Sequence, residues 1–138
     1  MADLSRFLSA QEYDYETALG EIRRGRKCSC WMWYIFPQIQ GLGTSGMSRY
    51  YAIKNMQEAI DYINHAILGK RLVEITEALL QLESNDALAV MGCPDDMKLK
   101  SSMTLFSYAA PQMQIFQAVL NKFFDGEECH RTKRILGV

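Results

Sequence analysis

Apolar residues return at helical spacing along almost the whole chain, and that periodicity constrains the fold more than any other feature. Tyr15, Ala18, Leu19 and Ile22 fall at i, i+3, i+4 and i+7, and Met56, Ala59, Ile60 and Ile63 repeat the pattern. Each set shares one side of a helix of 3.6 residues per turn and would be split between the two faces of a strand. Leu68, Leu72, Ile75 and Leu79 predict a long amphipathic helix running to about Leu82. Leu99, Met103 and Phe106 mark the buried face of a further helix, and Ile115, Phe116, Val119, Leu120 and Phe123 the stripe of the next. The pattern predicts a mainly α fold. It is read as a single compact multi-helix domain over residues 1–138, with one irregular aromatic and glycine-rich segment.

Helix punctuation agrees with this reading. Ser9 to Glu12 has the form of a capping box, and Gly25 supplies a stop after the first stripe. Asn55 to Glu58 offers a second, looser box. A break is expected near Asn64 and His65, with His65 as a cap. Ser84-Asn85-Asp86 is turn-like and suited to cap the next helical segment. Gly92 and Pro94 read as a stop and a new start, with Asp95 and Asp96 complementing the positive pole of the new helix. Pro111 opens the helix of the Ile115 stripe, Asp125-Gly126 ends it, and a short tail helix is expected around Thr132 to Leu136.

Charge and composition exclude several classes of function. Net charge is −1, so no global field favours nucleic acid or an anionic membrane. The local run Arg23, Arg24, Arg26 and Lys27 reads as a solvated helix end. No stretch reaches the roughly 18 apolar residues of a membrane span. No basic flank leads into an apolar run at the start, and a cytoplasmic location is expected. The thiols Cys28, Cys30, Cys93 and Cys129 suit a reducing compartment. Cys28, Cys30, Cys129 and His130 match no standard zinc spacing, so no metal site is expected. No cofactor is expected either.

One segment escapes the periodic pattern. Trp31-Met32-Trp33-Tyr34-Ile35-Phe36 is continuously apolar and aromatic, and it reads equally as a buried strand or a buried helical turn. Pro37 closes it, and Gln38 to Gly46, with Gly41 and Gly43, forms a loop.

The stretch from Trp31 through Pro37-Gln38-Ile39-Gln40-Gly41-Leu42-Gly43 resembles the signature of the domain of unknown function 1810 family. Further matches run along nearly the whole chain. They include Phe7, Ala10 and Gln11, then Tyr51-Ala52-Ile53, then Asp95 to Leu99 ahead of Ser101 to Phe106. The resemblance implies a compact, mainly helical fold and no established activity, substrate or cofactor. The label calpastatin often attached to the family describes a long disordered inhibitor, whereas this composition is globular. The family often has His where this chain has Cys30, so acid–base work at that position would set this chain apart. In the order of Tyr50 to Ala59, Arg71 and a Lys-led segment before an apolar helix, the layout is also similar to the NADAR group linked to NAD and ADP-ribose. Some members of that group cleave an N-glycosidic bond to ADP-ribose. None of their catalytic residues carries over to a position here.

Candidate ligand-binding residues fall in two segments. In the first, Gln38 with Gly41 and Gly43 offers a loop whose backbone N–H groups suit phosphate. Trp33 could stack on a ring, Arg49 could pair with a phosphate bidentately, and Tyr50 comes directly after it. In the second, Lys98, Ser101 and Ser102 sit at i, i+3 and i+4 on one helix face, beside Asp95 and Asp96. A Lys beside hydroxyls suits an anion, or activates a Ser when its pKa is depressed. Glu21, Glu58 and Glu74 read as solvated faces. These residues point to a domain that binds a phosphate-bearing small molecule, nucleotide-like or ADP-ribose-like, with hydrolysis of a glycosidic or ester bond as the reaction left open. Catalytic residues are not identified. The alternative is a non-catalytic protein-interaction module using the aromatic segment and the Met-rich helices. The two separate on geometry. A ligand site needs the 31–48 and 95–106 segments to meet in a concave pocket, and an interaction module needs an exposed apolar patch.

Overall fold

A computed structural model describes residues 2–138. Among them the chain forms the helices α1 (Ser5–Arg23), α2 (Met32–Ile35), α3 (Gly46–Tyr50), α4 (Met56–Asn64), α5 (Leu68–Leu80), α6 (Ala87–Met91), α7 (Asp95–Ala109), α8 (Ile115–Phe124) and α9 (His130–Leu136). The described residues form no strand, and the fold is all-α. One isolated parallel bridge, Ile39 with Ile53, is the extent of β pairing among them. No helix among the described residues is long and apolar enough to cross a membrane.

The periodic stripes become the core. Ala18, Leu19 and Ile22 of α1 are buried, as are Leu72, Ile75 and Leu79 of α5, and α1 packs against α5. α5 also packs on α4 and α8, and α7 lies against α4, α6, α8 and α9. Phe106 of α7 joins its aromatic neighbours Tyr62 and Phe116 at 5.5 and 5.7 Å between ring centroids. Apart from Ala52, the buried apolar side chains form one connected cluster.

The break between α4 and α5 is tight, and its residues explain why. His65 leaves the helical conformation at ψ 133°. Its Nδ1 accepts the N–H groups of Ile67 and Leu68 at 3.1 and 3.2 Å, which caps α5. Gly69 comes next because a Cβ there would lie 2.0 Å from the carbonyl oxygen of Ile63. Asn55 caps α4 through Oδ1, which accepts the N–H of Glu58 at 2.9 Å. The return half of that box is absent. The Glu58 carboxylate is buried and instead takes the N–H of Lys54 at 3.0 Å and the Arg6 guanidinium at 2.9 Å.

Three sequence expectations change, and α7 is buried beyond its Leu99, Met103 and Phe106 stripe. The Ser9 box lies inside α1, which starts at Ser5 after Asp3 has accepted the Ser5 N–H at 3.0 Å. Pro111 stands in a turn, and α8 begins at Ile115. Glu21 and Glu58 are buried rather than solvated, at 3% and 5% exposure, whereas Glu74 is exposed. α7 has no solvated polar face over its middle. Lys100, Ser101, Ser102 and Thr104 are buried along with Leu99 and Met103, none more than 7% exposed. A helix enclosed over its middle must satisfy its polar groups from its neighbours, and the segment leading into α9 does this for Lys100, Ser101 and Thr104, while the Ser102 hydroxyl has no partner among the described residues. Thr104 Oγ1 accepts the Cys129 N–H at 2.9 Å, Ser101 and Thr132 hydroxyls meet at 2.9 Å, and Glu127 reaches Lys100.

Candidate functional site

The aromatic run is a single helical turn. The N–H groups of Ile35 and Phe36 donate to the carbonyls of Trp31 and Met32, both at 3.2 Å. Trp31, Met32, Tyr34, Ile35 and Phe36 are buried in the core, and Trp33 alone is left half-buried. The chain then turns at Pro37 into the glycine loop. The N–H of Ile53 donates to Gln38 O at 2.9 Å and the N–H of Gln40 to Ile53 O at 2.8 Å, so the bridge anchors the base of the loop. Gly41 sits at φ +105°, a backbone region that L side chains avoid.

Between this loop and α7 lies a cavity of about 370 Å³. Trp33, Gln38, Gly41 and Gly43 line it from the first segment, and Lys98 and Ser101 from the second. The two segments thus meet. Tyr51 and Ala52 add a third side, and Cys129 and Arg131 a fourth, the latter pair outside both candidate segments. Three candidates fall elsewhere. Arg49 and Tyr50 are exposed on α3 and Ser102 is enclosed in the core, and none of the three lines the cavity.

The charged groups at this cavity are ordered by their partners. Lys98 Nζ stands 3.9 Å from the centre of the Trp33 ring, a cation–π contact, and 3.2 Å from Asp95 Oδ1. The other Asp95 oxygen pairs with Lys27 at 2.8 Å, and Lys27 in turn lies 4.9 Å from the Trp31 ring centre. Arg131 donates to the carbonyl of Leu42 at 3.3 Å and so ties α9 to the loop. Ile135 of α9 closes on the same loop, 3.3 Å from where a Gly41 Cβ would stand. Among the described residues, the lining therefore carries two cations, Lys98 and Arg131, and no carboxylate. Ser101 is held by Thr132 rather than by Lys98, so its hydroxyl has no base beside it.

Behind the site, Glu21 sets the position of the aromatic run. Its Oε1 accepts the N–H groups of Cys28 and Ser29 at 2.7 and 2.9 Å and the indole N–H of Trp31 at 2.9 Å. Its Oε2 accepts the Ser29 hydroxyl at 2.5 Å. Burial alone would raise the carboxyl pKa, but these four donors outweigh it and hold it at about 2. The opposite wall is fixed by Arg6, which donates to the carbonyl of Ala52 at 2.8 Å and to Glu58. Sequence did carry a signal for Glu21, since it stands three residues after Ala18 and one before Ile22, on the buried arc of α1.

The sequence matches the profile of the family described as Protein of unknown function (DUF1810) over residues 1–136. The chain belongs to this family. Among solved structures, it is similar to the conserved hypothetical protein Rv1873 from Mycobacterium tuberculosis, whose crystal structure was determined at 1.38 Å. The two share 43% identity and superpose with a TM-score of 0.96, over 99% of this chain and 97% of that one. None of the curated proteins matches the sequence. The solved relative supports the fold, and neither it nor the family description names an activity.

Proposed function

We propose that this DUF1810 protein binds a phosphate-bearing small molecule in the cavity between the glycine loop and α7. The observation that carries the reading is the lining itself. Two cations with no carboxylate converge on one concave, partly apolar space within the size range of ligand pockets. Lys98 and Arg131 would hold the phosphate, the loop would bring backbone N–H groups close, and Trp33, Tyr51 and Leu42 would cover the body of the ligand. Hydrolysis needs an acid or base within reach of the bond that breaks. The lining supplies Lys98, Tyr51 and Cys129 but no Asp, Glu or His among the described residues, Lys98 is engaged by Trp33 and Asp95, and Asp95 is engaged by Lys27 and Lys98. Binding is therefore the supported function, and glycosidic or ester cleavage is its extension.

A thermal-shift panel tests this. NAD, ADP-ribose, nucleotides and sugar phosphates are applied to the wild type and to Lys98→Ala. The resemblance in layout to the NADAR group is the reason for including the first two. A compound at 100 times its Kd adds about 2.7 kcal/mol, a readily seen shift. Stabilisation by a phosphate compound that is lost in Lys98→Ala is the expected result. No shift from any phosphate compound at millimolar concentration would overturn the reading.

One observation favours the second reading, a protein-interaction module. Met97 at the cavity, Ile135 against the loop, and Met47 and Tyr50 on α3 are large apolar side chains left 44–61% exposed. Met97 lines the opening and Ile135 lies against its glycine loop, as at the edge of a docking surface. The panel separates the two, because a docking surface gives no phosphate-dependent shift.

A further inference from the structure

Resting on the binding site proposed above, we infer that its ligand is a compact phosphomonoester, one ring system carrying one terminal phosphate, rather than a dinucleotide or ADP-ribose. Three features of the cavity lead there. The first is size. About 370 Å³ lies near the floor of the roughly 300–1,000 Å³ that ligand pockets span. One nucleoside or sugar with its phosphate fills such a space, and two ribosyl units joined through a pyrophosphate need close to twice as much.

The second is the placement of charge. Lys98 comes from α7 and Arg131 from α9, and both line the same cavity. Each has donors to spare. Arg131 is exposed and, among the described residues, its hydrogen bonding is to a single carbonyl at 3.3 Å, and Lys98 gives one N–H direction to Asp95. A terminal phosphate presents three oxygens and close to two negative charges at neutral pH, so it has an acceptor to offer each cation. A bridging pyrophosphate offers fewer free oxygens per phosphorus and must leave the cavity at both ends.

The third is the state of the Trp33 ring. The Lys98 ammonium already covers one face at 3.9 Å, so that face is closed to a stacked base. The other aromatic residue in the lining is the half-buried Tyr51, which is packed against Tyr50 at 4.8 Å and tilted against Tyr34 at 5.0 Å. With one Trp33 face covered and Tyr51 held by two neighbours, the lining suits a single stacked ring better than two.

Calorimetric titration of the wild type, Lys98→Ala and Arg131→Gln with adenosine monophosphate, ribose 5-phosphate, inorganic phosphate, adenosine, ADP-ribose and NAD tests the inference. Arg131 is exposed, and the unliganded melting midpoint of each variant checks folding separately. The expected result has one monophosphate binding at least about tenfold more tightly than ADP-ribose and NAD, and loss of either cation weakening it about 10- to 100-fold, the range for a charge-assisted hydrogen bond. ADP-ribose or NAD binding as tightly as every monophosphate would overturn the inference and leave the phosphate site standing. Undiminished binding in Arg131→Gln would overturn the two-cation arrangement. Adenosine binding as tightly as its monophosphate, or no compound binding, would overturn both the inference and the proposed function.

Discussion

Replacing Glu21 with Gln tests the arrangement behind the site without altering its volume. One carboxylate oxygen accepts three N–H donors, from Cys28, Ser29 and the Trp31 indole, and the other accepts the Ser29 hydroxyl. A Gln amide keeps one acceptor oxygen for the three N–H groups, and the Ser29 hydroxyl can reverse to accept from its NH2. What is lost is the charge. Hydrogen bonds to an ionised group are worth about 1.5–3 kcal/mol against about 0.5–1.5 for neutral pairs, a loss near 1 kcal/mol for each of three donors. Cys28 is exposed and Ser29 half-buried, so water recovers part of their share, while the Trp31 indole has no such recourse at 1% exposure. The net expectation is about 2 kcal/mol, or a melting midpoint lower by about 8 °C for a domain of this size.

The pH dependence gives a second, independent reading. Glu21 falls from its ordinary value of 4.5 to about 2 in the folded chain. Between these values the unfolded chain binds the extra proton, so stability rises with pH across that window. The contribution is whole above about pH 4.5 and disappears as pH falls through 2. Melting the wild type and Glu21→Gln from about pH 7 down to about pH 2.5 should show a constant gap that narrows below about pH 4.5. A gap under about 2 °C at neutral pH, or one that stays constant into acid, would refute the account of Glu21 as a charged hub.

Three further outcomes rest on particular contacts. Gly69→Ala should destabilise by about 3 kcal/mol or more, or leave no folded protein, because its Cβ would stand 2.0 Å from a backbone oxygen that cannot move without separating α4 from α5; circular dichroism melts measure it. Gly41→Ala should cost about 1–3 kcal/mol for holding a side chain at φ +105°, and the loosened loop should also weaken phosphate binding, so melting and titration should move together. Asp95→Asn removes the anion that competes for Lys98, so phosphate compounds should bind about threefold to tenfold more tightly, read by titration at fixed ionic strength; weaker binding would mean that Asp95 orients Lys98 more than it opposes the ligand.

The parts of this structure that were legible in the sequence are those where one local rule acts. Apolar spacing located α1, α4, α5 and α8 because a helix with one wet side leaves a stripe. Asn55, His65 and Asp86 were readable as caps because a cap is satisfied within a few residues, as the Ala89 N–H on Asp86 at 3.1 Å illustrates. Ser9 shows the limit, since the same motif inside a longer helix has nothing to cap once Asp3 has met the first N–H group. α7 defeated the pattern for a different reason. Ser101, Thr104 and Lys100 look solvated in sequence, and only partners about 25–30 residues later, Thr132, Cys129 and Glu127, make their burial tolerable. The same long-range docking brings Arg131 and Cys129 to the cavity, which is why neither was found from the 31–48 and 95–106 segments. Six of nine candidate residues line the cavity, and the three that miss it fail on orientation: Ser102 points into the core, and Arg49 and Tyr50 stand on the outer side of α3. Residue type and spacing could nominate segments, but which side of a helical turn faces the cavity depends on what α9 leaves uncovered. The segment most informative for the site was thus the one with least motif content, the tail from Glu127 to Ile135, whose docking on α7 and the glycine loop completes the wall.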